Sequence, residues 1–331
     1  MLDLATNLEA LFKDPEQHEQ IASVVRVTSA KELRGAIRGL QALTGIPFES
    51  FVASTVRTDL GPLYTFVFKP RPVLICELLR AATKGAGTDE KALVDVLLTI
   101  EASEVREIRR VYQQLYQRQL ANDIAADVGN KYMWAKLVNA VVGGTRHPHT
   151  PDTLAQDLED VHAAIETKGV KKAEVDTWIR IFSTYTRADF RELHRRYEAT
   201  HGKSLRCGVE DEFQGLDEYA FKLAHDFLYD PCCAAAFALN VALGGSKVDV
   251  ARINRITALH FRECKGTKYY YKKVYGEAFD TRCDEALKAP YQTAVKMLWE
   301  PYFGEASGID VPTTLELKRP TDADVPMTLE L

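Results

Sequence analysis

A segment of sixteen residues that returns four times without gaps constrains this fold more than any other feature of the chain. Its copies are LRGAIRGLQALTGIPF (33–48), VREIRRVYQQLYQRQL (105–120), FRELHRRYEATHGKSL (190–205) and CKGTKYYYKKVYGEAF (264–279), the last the weakest. Apolar residues hold the fourth, the seventh or eighth, and the final columns in most copies. The starts are 72, 85 and 74 residues apart, so the chain reads as four units of about seventy residues with extra chain between the second and third. That length exceeds a two-helix solenoid unit and suits a bundle of four or five short helices.

The period within each unit is helical. Val105, Ile108, Val111 and Tyr112 fall on one face, and Glu, Lys, Arg, Ala, Leu and Gln dominate the chain. The expected fold is all-α: four repeats of about five helices each, packed into one body with a shared interior. The expected boundaries are 1–70, 71–144, 145–230 (with a linker at its start), 231–303 and an extended tail, 304–331. The linker, Gly143 to Pro151, is rich in breakers and holds His147 and His149. Two histidines without a third ligand read as solvated linker residues rather than a metal site.

Composition narrows the function. The chain has 331 residues, 46% hydrophobic and 27% charged, as in an ordinary globular protein. No run of 18 apolar residues occurs, and the N-terminus lacks the basic head and apolar stretch of a signal peptide, so a cytosolic location is expected. Six cysteines without metal spacing read as buried small hydrophobes in a reducing compartment. The net charge of −5 argues against a nucleic-acid binder and also opposes contact with an acidic leaflet unless something positive stands between.

The second unit contains Thr83-Lys84-Gly85-Ala86-Gly87-Thr88-Asp89-Glu90 between helical runs at 73–82 and 89–99. Its two glycines permit a tight turn that aims carbonyl oxygens at one point. Thr88 is expected to cap the following helix, with Asp89 and Glu90 in its first turn. Hard cations take six to eight oxygens, many of them carbonyls. Thr83, Gly85 and Gly87 offer carbonyls, and Asp127, forty residues after Gly87 at the turn following the repeated helix, offers a carboxylate. In a plainer reading the glycines only join two helices and Asp127 only caps one.

KGAGTDE with an acid about forty residues on, within a fourfold repeat whose longest spacing is the second, resembles the annexin pattern. Asp127-Val128-Gly129-Asn130-Lys131-Tyr132 before an apolar run strengthens the likeness, which spans about residues 3–303. The resemblance implies a Ca2+ site at Thr83, Gly85, Gly87 and Asp127, on a convex face opposite the termini. It implies calcium-dependent binding to acidic phospholipid membranes, with Lys84 and Ala86 as membrane contacts. Lys84 would add about 1 kcal/mol of attraction to an anionic surface.

The other copies depart from that pattern. The first has Lys13 and Pro15 in the loop columns and Thr55 in the acid column, so no site is expected there. The third has Gly169, then Val170 and Lys172 in the glycine columns, and keeps Glu212 in the acid column. The fourth has Gly244, Gly245 and Ser246, but Ala286 in the acid column, with Asp284 and Glu285 beside it. Glu212, Gly244 and Glu285 are therefore secondary metal positions only.

Residues 304–331 contain a duplicated octet, DVPTTLEL (310–317) and DVPMTLEL (324–331), which reads either as a segment for docking in a groove or on a sheet edge or as a disordered tail. Such eroded loops also resemble the protist alpha-giardins, which implies a second reading: a cytoskeletal or flagellar structural protein that docks through this tail. No nucleotide-binding, zinc-protease, hydrolase or EF-hand motif occurs, and an enzyme is not expected.

Overall fold

The structure is a computed structural model and describes residues 2–85, 87–166 and 172–300. Among the described residues it holds twenty α-helices, one 3-10 turn and no strand, only an isolated bridge between His147 and Tyr185. The all-α expectation holds. Ala86, Gly169, Val170 and the tail lie outside the described residues.

The repeated segment has one structural meaning. In the first three copies it covers most of a fifteen-residue helix, Ala30–Thr44, Ala102–Tyr116 or Arg187–His201, and the turn after it. Its final column, Phe48, Leu120, Leu205 and Phe279, is the first residue of the next helix in every copy. All four of these side chains are buried, as are Ala36, Ile108, Leu193 and Thr267 in the fourth column. The eighth column, Leu40, Tyr112, Tyr197 and Tyr271, is buried too. Positions four and eight share a helix face, which is why they carry the core.

The thirteenth column ends each of these helices in a left-handed conformation: Gly45 (φ 73°), Gln117 (φ 55°), Gly202 (φ 67°) and Gly276 (φ 74°). Glycine adopts that region freely and glutamine does not. The fourth copy is weak for a local reason. Its helix starts only at Thr267, after Gly266, and no side chain caps it. Ser29 and Thr186 accept backbone bonds at the corresponding starts.

The described chain divides into two compact units. The first comprises residues 2–74 and 239–300. Phe12 sits at its aromatic centre, 5.7–6.0 Å from Phe48, Phe51, Tyr64 and Phe68. Arg262 donates to the carbonyls of Val25 and Thr28, and the Gln20–Val27 and Tyr291–Leu298 helices pack together. The second unit is residues 75–238, with Trp178, Phe182, Phe213 and Phe221 buried against one another.

The linker histidines differ from expectation. His149 is not solvated: its side chain is 6% exposed, stacked on Tyr185 at 4.1 Å and on His147 at 4.5 Å. The backbone bond from His147 to Thr184 holds the segment against the second unit and brings the rings together. Four of the six cysteines are buried, Cys207 and Cys232 are half-buried, and none forms a disulfide.

Candidate metal centre

The Arg71–Thr83 helix ends at the glycine loop and the Glu90–Leu97 helix begins after it. A backbone bond from Asp89 N to Ala82 O, 3.0 Å long, closes the loop. Gly85 and Gly87 have φ of 117° and 99°, and a Cβ on either would meet no atom within 4 Å. Backbone conformation, not space, calls for glycine there. Lys84, Gly85 and Gly87 are exposed.

Asp89, rather than Thr88, caps the helix: its side chain accepts from Ala92 N at 2.9 Å. Thr88 is drawn elsewhere. Its hydroxyl donates to Asp127 Oδ2 at 2.6 Å. Asp127 lies not in a turn but in the last turn of the Leu120–Val128 helix, half-buried, before Gly129 ends that helix. The carboxylate is thereby held against the residue that follows the second loop glycine. Among the described residues nothing donates to Asp127 Oδ1.

Asp123, one turn earlier, anchors the same helix. Tyr112 donates to Asp123 Oδ2 at 2.9 Å, Arg118 chelates both oxygens, and Arg80 from the helix leading into the loop lies 3.6 Å away. The Arg118 and Tyr112 hydrogen bonds and the two guanidinium charges hold the Asp123 carboxyl below its ordinary range, against the opposing effect of burial. The Arg80–Asp123 pair ties the loop's helix to the one that carries Asp127.

Among the described residues no group of three His, Cys, Asp or Glu side chains is placed to hold a metal ion, so a cation here must take backbone oxygens. A glycine-bent run of carbonyls beside one oriented carboxylate is an all-oxygen donor set that fits calcium.

The other copies use the same space differently. In the first, the loop is a 3-10 turn, Pro15–Gln17, and the His18 ring lies 3.0 Å from the Phe12 carbonyl. Thr55 spends its hydroxyl on Phe51 O. In the third, Glu212 ends the Leu205–Glu212 helix, half-buried, and its loop falls outside the described residues.

The fourth copy keeps the loop's shape. Asp249 N bonds Ala242 O at 3.0 Å, and Asp249 caps the next helix as Asp89 does. Gly244 ends its helix, and Lys247 stands in the column of Gly87. The carbonyl of Leu243, counterpart of Thr83, accepts Arg282 Nη2 at 2.9 Å, and Glu285 lies 3.3 Å from that same guanidinium. Arg282 and Lys247 are what sequence reading missed here: a fixed side-chain cation occupies the carbonyl that would face an ion.

Comparison with known proteins follows this geometry. A family profile described as Annexin matches residues 75–137, and one described as Annexin E1, fourth repeat, matches residues 235–300. The chain is 57% identical over 321 residues to Annexin E1 of Giardia intestinalis, covering 96% of this chain and 93% of that protein. It is 27% identical over 303 residues to Giardin subunit alpha-6 of the same organism, covering 90% and 97%. The calcium-bound structure of alpha-14 giardin superposes with a TM-score of 0.89 at 58% identity, over 90% of this chain and 99% of that one. Calcium-bound alpha-1 giardin, at 24% identity, shares the fold with a TM-score of 0.79, over 90% and 98%.

Proposed function

The chain belongs to the annexin family, and on that footing we propose that it is a non-enzymatic, peripheral protein that binds acidic phospholipid membranes through calcium. Calcium-dependent membrane binding is general in this family. The ligands in this reading are the carbonyls of Thr83, Gly85 and Gly87 and the carboxylate of Asp127. The single observation that carries it is the Thr88–Asp127 hydrogen bond, which sets the acid beside the loop. Calcium bound there supplies positive charge and open coordination positions for a phosphate oxygen.

The chain's own residues do the rest. Gly85 and Gly87 shape the loop, Arg80 and Asp123 anchor the helix that carries Asp127, and Lys84 and Ala86 meet the headgroups. No helix among the described residues is long and apolar enough to cross a membrane, in keeping with attachment at a surface. A net charge of −5 makes the cation necessary for approach to an anionic leaflet. One carboxylate gives a weak site in solution, tightened when a surface completes the shell.

The test is cosedimentation with acidic vesicles over a calcium series. The parent binds with calcium and is released by chelator, and Asp127→Ala shifts half-maximal calcium upward at least tenfold. Unchanged calcium dependence in that variant defeats the site, and no binding by the parent defeats the function.

A second reading is a cytoplasmic structural protein that docks on the cytoskeleton through residues 304–331. The likeness to giardins and the arginine-filled fourth loop favour it. Sedimentation with microtubules in chelator, without vesicles, is its test.

A further inference from the structure

A cleft of about 570 Å³ opens on the last repeat, lined by Lys268, Tyr269, Lys272, Lys273, Ala278, Phe279 and Asp280. It sits between the Thr267–Tyr275 helix and the start of the Phe279–Ala286 helix. Its rim is basic. Lys272 is exposed, and Lys268 and Lys272 stand one helical turn apart. Tyr269 is 49% exposed, an aromatic ring turned outward beside these charges. The acids here are Asp280 and Glu300, 2.7 and 2.5 Å from Lys268, and Glu277 at the turn, so Lys268 is already paired and Lys272 is the exposed cation of the rim.

The described chain ends at this cleft. Glu300 Oε1 lies 2.5 Å from Lys268 Nζ. The 31 residues that follow carry six acids, Glu305, Asp310, Glu316, Asp322, Asp324 and Glu330, against Lys318 and Arg319. They hold the duplicated octet, in which a glutamate stands between two leucines.

We propose that this cleft is the docking site of the chain's own tail, occupied by the first octet, residues 310–317. Three observations converge. The occupant is acidic, and Lys272 on the rim is an exposed cation. The alternation Leu315-Glu316-Leu317 offers apolar side chains to Tyr269 and Ala278 and a carboxylate to Lys272. The octet begins ten residues after Glu300, a stretch that spans up to about 35 Å, so reach does not limit it. Tethering so close gives an effective concentration of about millimolar, enough for a modest contact to stay occupied. The tail then neutralises Lys272, a charge that would otherwise attract an anionic surface.

Hydrogen exchange on the full chain tests this. Amides of 310–317 exchange at least tenfold more slowly than an unstructured chain of that sequence, and 0.5 M salt removes most of the difference. Lys272→Glu and, separately, Glu316→Lys each return them to the unstructured rate, and the double variant restores protection. Glu316→Lys leaves the folded body untouched, so its result does not depend on the integrity of the helix. An unprotected octet in the parent overturns the proposal, as does protection that survives both single variants. Protection that rises with protein concentration also overturns it, because the contact then lies between chains.

Discussion

The Thr88 hydroxyl and the Asp127 carboxylate, 39 residues apart, meet at 2.6 Å. Thr88 closes the glycine loop, and Asp127 lies in the last turn of the third helix after it. A neutral hydroxyl takes one carboxylate oxygen, so the acid is held in orientation.

That relationship predicts a graded response. Thr88→Val removes the positioning bond and leaves every proposed ligand in place. A hydrogen bond of about 1 kcal/mol corresponds to a three- to tenfold rise in half-maximal calcium for vesicle binding. The thermal midpoint changes little because the loop is solvent-facing. A loss as large as that of Asp127→Ala would mean that Thr88 is itself a ligand.

The fourth loop predicts the opposite separation. Arg282→Ala frees the Leu243 carbonyl and breaks the brace to the loop, costing about 1–2 kcal/mol in denaturant unfolding. The calcium dependence of vesicle binding should stay as in the parent. A leftward shift in that dependence would show that the arginine masks a working site.

Gln117 occupies a left-handed position that the other three copies give to glycine. Gln117→Gly should therefore stabilise the protein by about 1 kcal/mol, read as a rise in thermal midpoint. Gly202→Gln, the reverse exchange in the third copy, should cost a similar amount.

Acid should loosen the second unit through His194 and His225. His225 Nδ1 lies 2.9 Å from Asp226 Oδ1, so that nitrogen carries the proton and Nε2 accepts from His194 Nδ1 at 3.1 Å. Burial pushes His194 down to about 3, and His225 is lowered as well, chiefly by burial. Arg206 and Glu210 also face this pair, through Asp226 and through the Arg206 guanidinium. A histidine whose folded pKa lies below its unfolded value near 6.5 contributes stability that is complete above that value and lost as pH falls toward 3. His194 alone should cost about 2 kcal/mol between pH 7 and pH 5. His194→Phe should flatten this part of the pH profile in thermal melts, and an equally steep profile in the variant would refute the assignment.

The helical class, the fourfold segment, and the loop with its acid were legible because each is written in residue type at a fixed offset. The buried columns follow from apolar period, and the proposed site rests on two glycines and a carboxylate. What escaped reading is tertiary. Thr88 and Asp89 are both good caps one residue apart, and only Asp127, distant in sequence, decides that Asp89 caps and Thr88 does not. Arg282 reaches Leu243 across 39 residues, and nothing near Leu243 announces it. The left-handed column is visible as glycine in the first, third and fourth copies, but Gln117 hides it in the second. His149 looked solvated because its neighbours are breakers, whereas Tyr185, just after the Lys172–Thr184 helix, covers it.

Ala82 and Ala242 accept the same closing bond from Asp89 and Asp249, although one loop is proposed to hold a metal and the other carries an arginine. The bend is thus secured by main-chain atoms that no side-chain replacement removes. Chemistry at such a corner is separable from architecture. Exchanging a handful of side chains can turn an ion receptor into an inert brace, or back, without asking the rest of the molecule to refold.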